Sequence, residues 1–99
     1  MDERRKFDRV ILNVLIGYRK EAEAALKNIS ESGICITTSV ALVPGRFIKL
    51  LITLPDGTEM KVKGKVAWSI RTDDSYFENG IDFLPVGTYY RSLLAHFLN

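Results

Sequence analysis

The 99-residue chain carries 14 basic and 12 acidic side chains, a net charge of +2, with 46% hydrophobic residues, the balance of an ordinary soluble domain. That length suits one domain with one core. No apolar run reaches the ~20 residues of a membrane span, and the weak positive charge does not argue for a nucleic-acid polymer as partner. The single cysteine, Cys35, excludes an internal disulfide and a cysteine-based metal site. Its run Gly33-Ile34-Cys35-Ile36-Thr37 predicts a small, buried, apolar side chain.

The N-terminal Met1-Asp2-Glu3-Arg4-Arg5-Lys6 is too charged for a secretory signal, so the cytoplasm is the expected compartment. Arg4, Arg5, Lys6 and Arg9 crowd the first nine residues, either as a solvated tail or as an anion-binding arm. Val10 to Tyr18 reads as a strand, with Gly17 marking a bulge. Glu21 to Leu26 is ambiguous, helical by propensity yet alternating like a half-solvated strand. Asn28 to Gly33 is a turn cluster, and Ile34 to Thr38 a further strand. Phe47 to Leu54 is β-rich, and Pro55-Asp56-Gly57 supplies a hairpin turn.

Glu59 to Ile70 alternates most clearly. Met60, Val62, Gly64, Val66 and Trp68 share one parity and are expected on the core face, with Lys61, Lys63 and Lys65 on the other. Arg71 to Ser75 reads as a polar loop, and Ile81 and Phe83 as one face of a short strand ended by Pro85-Val86-Gly87. Tyr90, Leu93, Leu94, Phe97 and Leu98 fall at helical spacing behind Thr88 as N-cap. The expected architecture is five or six short strands in a barrel or sandwich, with a terminal helix covering one edge or end.

Catalytic chemistry finds little support. His96 is a lone helix histidine, Asp73-Asp74 reads as a solvated pair, and neither a nucleophile elbow nor a phosphate-binding loop is present. An enzyme is not expected.

Two short patterns remain. Arg5-Lys6-Phe7-Asp8-Arg9 sets two arginines four apart just before the first strand. Asn28-Ile29-Ser30-Glu31-Ser32-Gly33 sets an amide, a hydroxyl and a glycine just before a later one. With these motifs the sequence resembles the PilZ family, whose signature is Arg-x-x-x-Arg followed by Asp/Asn-x-Ser-x-x-Gly. Gly64-Lys65-Val66-Ala67-Trp68 is similar to its Gly-x-Val-x-Trp strand, and Asn79-Gly80-Ile81-Asp82-Phe83 to its Gly-Ile/Val-x-Phe strand.

The resemblance runs from Arg4 to Leu98 and implies an all-β fold: a six-stranded antiparallel barrel with a C-terminal α-helix, in which Glu21–Leu26 is a strand. It implies one domain over residues 1–99, divided into a flexible ligand-binding arm (1–9), the barrel (10–85) and the helix (87–98). It also implies a receptor for cyclic di-GMP, with no cofactor. Arg5 and Arg9 would grip phosphates and guanine edges through planar donor forks. Asn28 would read a guanine edge, Ser30 would bond a phosphate or base, and Gly33 would admit a close backbone approach or a turn with φ > 0. Arg4 would go with binding a stacked pair of ligand molecules. The arm would fold over the barrel mouth on binding and reposition Phe7 for an unidentified downstream protein.

No membrane insertion is expected, and two rivals are set beside this reading. One is a PilZ-like interaction domain that binds no nucleotide. The other is a nucleic-acid barrel suggested by Lys61, Lys63 and Lys65, disfavoured because that stripe has no aromatic residue at its own parity.

Overall fold

Alternation of apolar and polar side chains dominates the chain between Val10 and Leu84, and such a pattern buries itself by closing a sheet into a barrel. The computed structural model describes residues 10–17, 19–30, 32–73 and 75–84. They form six strands: β1 (Ile11–Ile16), β2 (Arg19–Ile29), β3 (Gly33–Thr38), β4 (Phe47–Thr53), β5 (Glu59–Asp73) and β6 (Tyr76–Phe83). The strands close in the order β1-β2-β3-β6-β5-β4, and every neighbouring pair is antiparallel. The expected C-terminal helix and the N-terminal arm lie outside the described residues.

The core follows the inward parity of each strand: Leu12 and Val14 on β1, Ile34 and Ile36 on β3, Ile48, Leu50 and Ile52 on β4, and Met60, Val62 and Val66 on β5. On β2 the inward positions are Ala22, Ala24 and Leu26, with Glu21 and Glu23 in solvent. Helical propensity over Glu21–Leu26 yields to this placement, because only an extended strand puts those small side chains against Val14 and Leu12. The β3–β4 connection turns back over the barrel, and Leu42, within it, is buried in the core.

Asn79 and Thr38 are the buried polar side chains among the described residues. Asn79 Nδ2 donates to Thr38 Oγ1 at 2.9 Å and to the Ile36 carbonyl at 3.3 Å. Asn79 Oδ1 accepts from Ser69 Oγ at 2.6 Å, and the Thr38 hydroxyl donates onward to the Val40 carbonyl at 2.6 Å. The network ties β3, β5 and β6 together with its polar atoms paired, which is the condition for carrying amide groups inside a core.

Four expectations are corrected. Gly17 is not a bulge: it lies in the β1–β2 turn at φ +65°, and the register shift on β1 falls between Val14 and Leu15. Arg71 to Asp73 continue β5 beyond the expected loop start, since a longer β5–β6 hairpin pairs Arg71 with Phe77 and Asp73 with Tyr76. Cys35 is half-buried, because its parity on β3 is the outward one between Ile34 and Ile36.

Trp68 is not in the core. The pairing runs Val66↔Ile81 and then Trp68↔Gly80, leaving Ala67 as an extra residue. One inserted residue exchanges the two faces of a strand. Trp68 and Ile70 are thereby turned outward, 40% and 57% exposed.

Candidate functional site

The pairings set four residues side by side across the outer face. Asn28 on β2 is opposite Cys35 on β3, Cys35 is opposite Gly80 on β6, and Gly80 is opposite Trp68 on β5. Three interstrand steps make this row about 14 Å wide. Two bulges create it. The shift between Leu26 and Asn28 leaves Lys27 unpaired and turns Asn28 outward, and the shift at Ala67 turns Trp68 outward.

The floor of the row is small. A side chain at Gly80 would occupy the space of the Trp68 indole, so the ring rests directly on the β6 backbone and keeps an open edge to solvent. A side chain at Gly33 would strike the Ile81 carbonyl, so the glycine serves a close approach of β3 to β6. Its φ is not positive, which removes the left-handed turn proposed for it from sequence. The close approach seen is to β6.

Ser30 and Ser32 flank this floor in an exposed turn. The Ser30 backbone N–H donates to the Gly33 carbonyl at 2.9 Å, and the Gly33 N–H donates to Ser30 Oγ at 3.3 Å. The Ser30 and Ser32 hydroxyls are 3.3 Å apart. The Ser-x-x-Gly spacing thus closes a compact turn with both hydroxyls at the end of the row.

Above the floor, the Lys27 ammonium donates to Glu78 Oε1 at 2.6 Å. That hydrogen bond is the main cause of the raised Lys27 pKa. Burial, with the Glu78 carboxylate adding to it, pushes the Cys35 thiol up from its usual 9.0, so it stays protonated at neutral pH.

Of the residues expected to bind a ligand, Asn28, Ser30 and Gly33 are brought together at one end of the barrel. Arg4, Arg5 and Arg9 lie outside the described residues, as do His96 and Asp74. Continuing the Leu12↔Ala24 register by two residues sets Val10, the first described residue, opposite Leu26, beside the end of β2 that carries Asn28.

Sequence reasoning missed Trp68, Cys35 and Gly80 as surface neighbours of Asn28. One signal was present: the lysine alternation stops at Lys65, and the small residues Ala67 and Ser69 follow on that parity. Among the described residues, no group of three or more His, Cys, Asp or Glu is placed to hold a metal ion. No helix among them is long and apolar enough to cross a membrane.

No curated protein matches the chain. The PilZ domain family model matches residues 3–99, essentially the whole chain. With Asn28, Ser30 and Gly33 brought together at one end of a six-stranded closed barrel, the chain belongs to the PilZ domain family.

Proposed function

We propose that the chain is a cyclic di-GMP receptor whose binding surface is the row from Asn28 to Trp68, and that it passes the signal on through its N-terminal arm to a partner protein. PilZ domains are binding modules for cyclic di-GMP. The observation that carries the assignment to this chain is the outward Trp68, seated on Gly80 in line with Cys35 and Asn28. A flat aromatic ring offers a stacking surface for a purine. The amide of Asn28 carries both a donor and an acceptor for a base edge, and the hydroxyl of Ser30 suits a phosphate oxygen.

The ligand carries two negative charges, and the arginines supply the positive ones. Arg5 precedes Val10 by five residues, a reach of up to ~17 Å, enough for an arm starting beside β2 to cross a row ~14 Å wide. Arg5 and Arg9 then pair with phosphates or guanine edges, and Arg4 provides for a second stacked ligand molecule. The ordered arm, with Phe7 repositioned, is the surface a partner reads.

Two native probes test this directly, because the chain has one tryptophan and one cysteine. Titration with cyclic di-GMP is expected to release heat in a calorimeter, to change Trp68 fluorescence and to slow alkylation of Cys35. Heat without either optical or chemical change would move the site elsewhere on the barrel. No heat at all would leave an interaction domain that binds no nucleotide.

A further inference from the structure

Asn28, Cys35, Gly80 and Trp68 give the row an amide, a thiol, a glycine and an indole, none of them charged at neutral pH. A carboxylate stands beside them. Glu78 lies two residues before Gly80 on β6, hence on the same face, opposite Thr37 on β3 and Ile70 on β5. Alone, it would repel a phosphate arriving on the row. It is instead engaged by Lys27, whose Nζ donates to Glu78 Oε1 at 2.6 Å from across β3.

The bulge on β2 makes this possible. Neighbours on an unbroken strand alternate between faces, and Leu26 and Ile29 are both buried. The extra residue between them leaves Lys27 and Asn28 exposed in succession, so the motif amide and an ammonium share one end of the row. Ser30 lies in the other direction along β2 from Asn28. Lys27 and the Ser30 hydroxyl therefore flank the row from its two long sides. The Lys27 and Glu78 side chains are 52% and 27% exposed. An ion pair this wet is weak and readily exchanged, and a lysine ammonium on its flexible stem can turn to a new acceptor.

We infer that Lys27 is a phosphate-binding residue of the row, held on Glu78 until ligand arrives, and that Glu78 sets the affinity by competing with a phosphate for the one ammonium. The inference rests on the receptor reading and adds a residue and a control to that site. A phosphate oxygen and a carboxylate oxygen are alternative acceptors for the same N–H donors. The ligand has two phosphates, and the row then offers Ser30 to one and Lys27 to the other. Glu78, once released, keeps its contact with water.

The test is calorimetric titration of the full chain and its variants with cyclic di-GMP, paired with alkylation of Cys35 in the ligand-free proteins. Lys27→Gln should bind about tenfold more weakly, and Lys27→Arg, which keeps the charge, should stay close to wild type. Glu78→Gln releases the ammonium and should bind about two- to fivefold more tightly. Without ligand, the Cys35 thiol is raised by burial first and by Glu78 next, while Lys27 lowers it. Alkylation should therefore be faster in Glu78→Gln and slower in Lys27→Gln. Circular dichroism should show each variant folded. Lys27→Gln with wild-type affinity would overturn the inference. So would weaker binding by Glu78→Gln, which would make that carboxylate a direct contact to a guanine edge, or unchanged alkylation in both variants. Wild-type protein that gives no heat would sink the receptor reading and this inference together, whereas wild-type protein that binds, with both variants binding equally well, would sink this inference alone.

Discussion

Asn79 has no exposed surface and bonds to β3 and β5 from its place on β6. Asn79→Ala removes one member of that network: it takes away the acceptor of the Ser69 hydroxyl and a donor to Thr38 Oγ1, which keeps its bond to the Val40 carbonyl. It should cost about 2–3 kcal/mol, read as a lower urea midpoint at unchanged slope. Trp68 belongs to a different class. Outward on Gly80 and 40% exposed, it should cost only about 1–2 kcal/mol of stability on replacement by alanine, well below the 3–5 kcal/mol of a buried aromatic. Its larger effect should be on cyclic di-GMP, where losing one stacked base lowers affinity about 5- to 150-fold. A Trp68→Ala protein that binds normally would remove the ring from the site. Arg5→Ala and Arg9→Ala should show the converse pattern, with affinity about 10- to 150-fold weaker and little change in the melting of the free protein. Wild-type affinity in both would refute the arm's role.

At the scale of elements, bulges decide which residues the outer surface displays. Lys27 and Ala67 are each one residue too many for their partner strand, and each turns the residue after it, Asn28 or Trp68, toward solvent. The arm is the second element at issue. Residues 1–9 hold one large apolar side chain besides Met1, namely Phe7, together with four basic ones. On the proposed function, a segment of this composition is expected to gain too little from burial to offset its ordering entropy until ligand is bound. Cyclic di-GMP would neutralise its repulsion and occupy its donors. Amide exchange over residues 1–9 should therefore be fast in the free protein and slowed in the complex. Protection already present without ligand, or none gained with it, would show that the arm is not the switch.

For the whole molecule, closure means that the six strands pair in a ring, so binding is felt as stability of one cooperative unit. Ligand at about a hundred times its dissociation constant should add about 2.7 kcal/mol, or roughly 10–20 °C in melting temperature for a domain of this size. The shift should shrink as salt screens the arginine–phosphate attraction, and shrink again in Arg5→Ala at equal ligand. A thermal scan across ligand and salt concentrations reads all three, and a melting temperature that ignores the ligand would count against the receptor.

Period-two alternation, the Pro55-Asp56-Gly57 turn and the order of the short motifs were legible in the chain itself, and they carry most of the barrel and its core. Alternation reports which face a residue takes only while the register is unbroken. From Met60 to Val66 it holds, and the sequence reading is right. Past Ala67 the faces exchange, and the reading of Trp68 as core fails. Cross-strand neighbours are a property of pairing and are not encoded in spacing along one strand. Only the closed sheet sets Gly80 beneath Trp68, Cys35 beside Asn28, and Phe47 beside Lys65, where the lysine stripe alone had shown no aromatic partner. The motif glycine Gly33 was visible as a residue, but its use was not: the constraint on it is the Ile81 carbonyl of a strand some fifty residues away, and a contact that distant exists only once the barrel has closed.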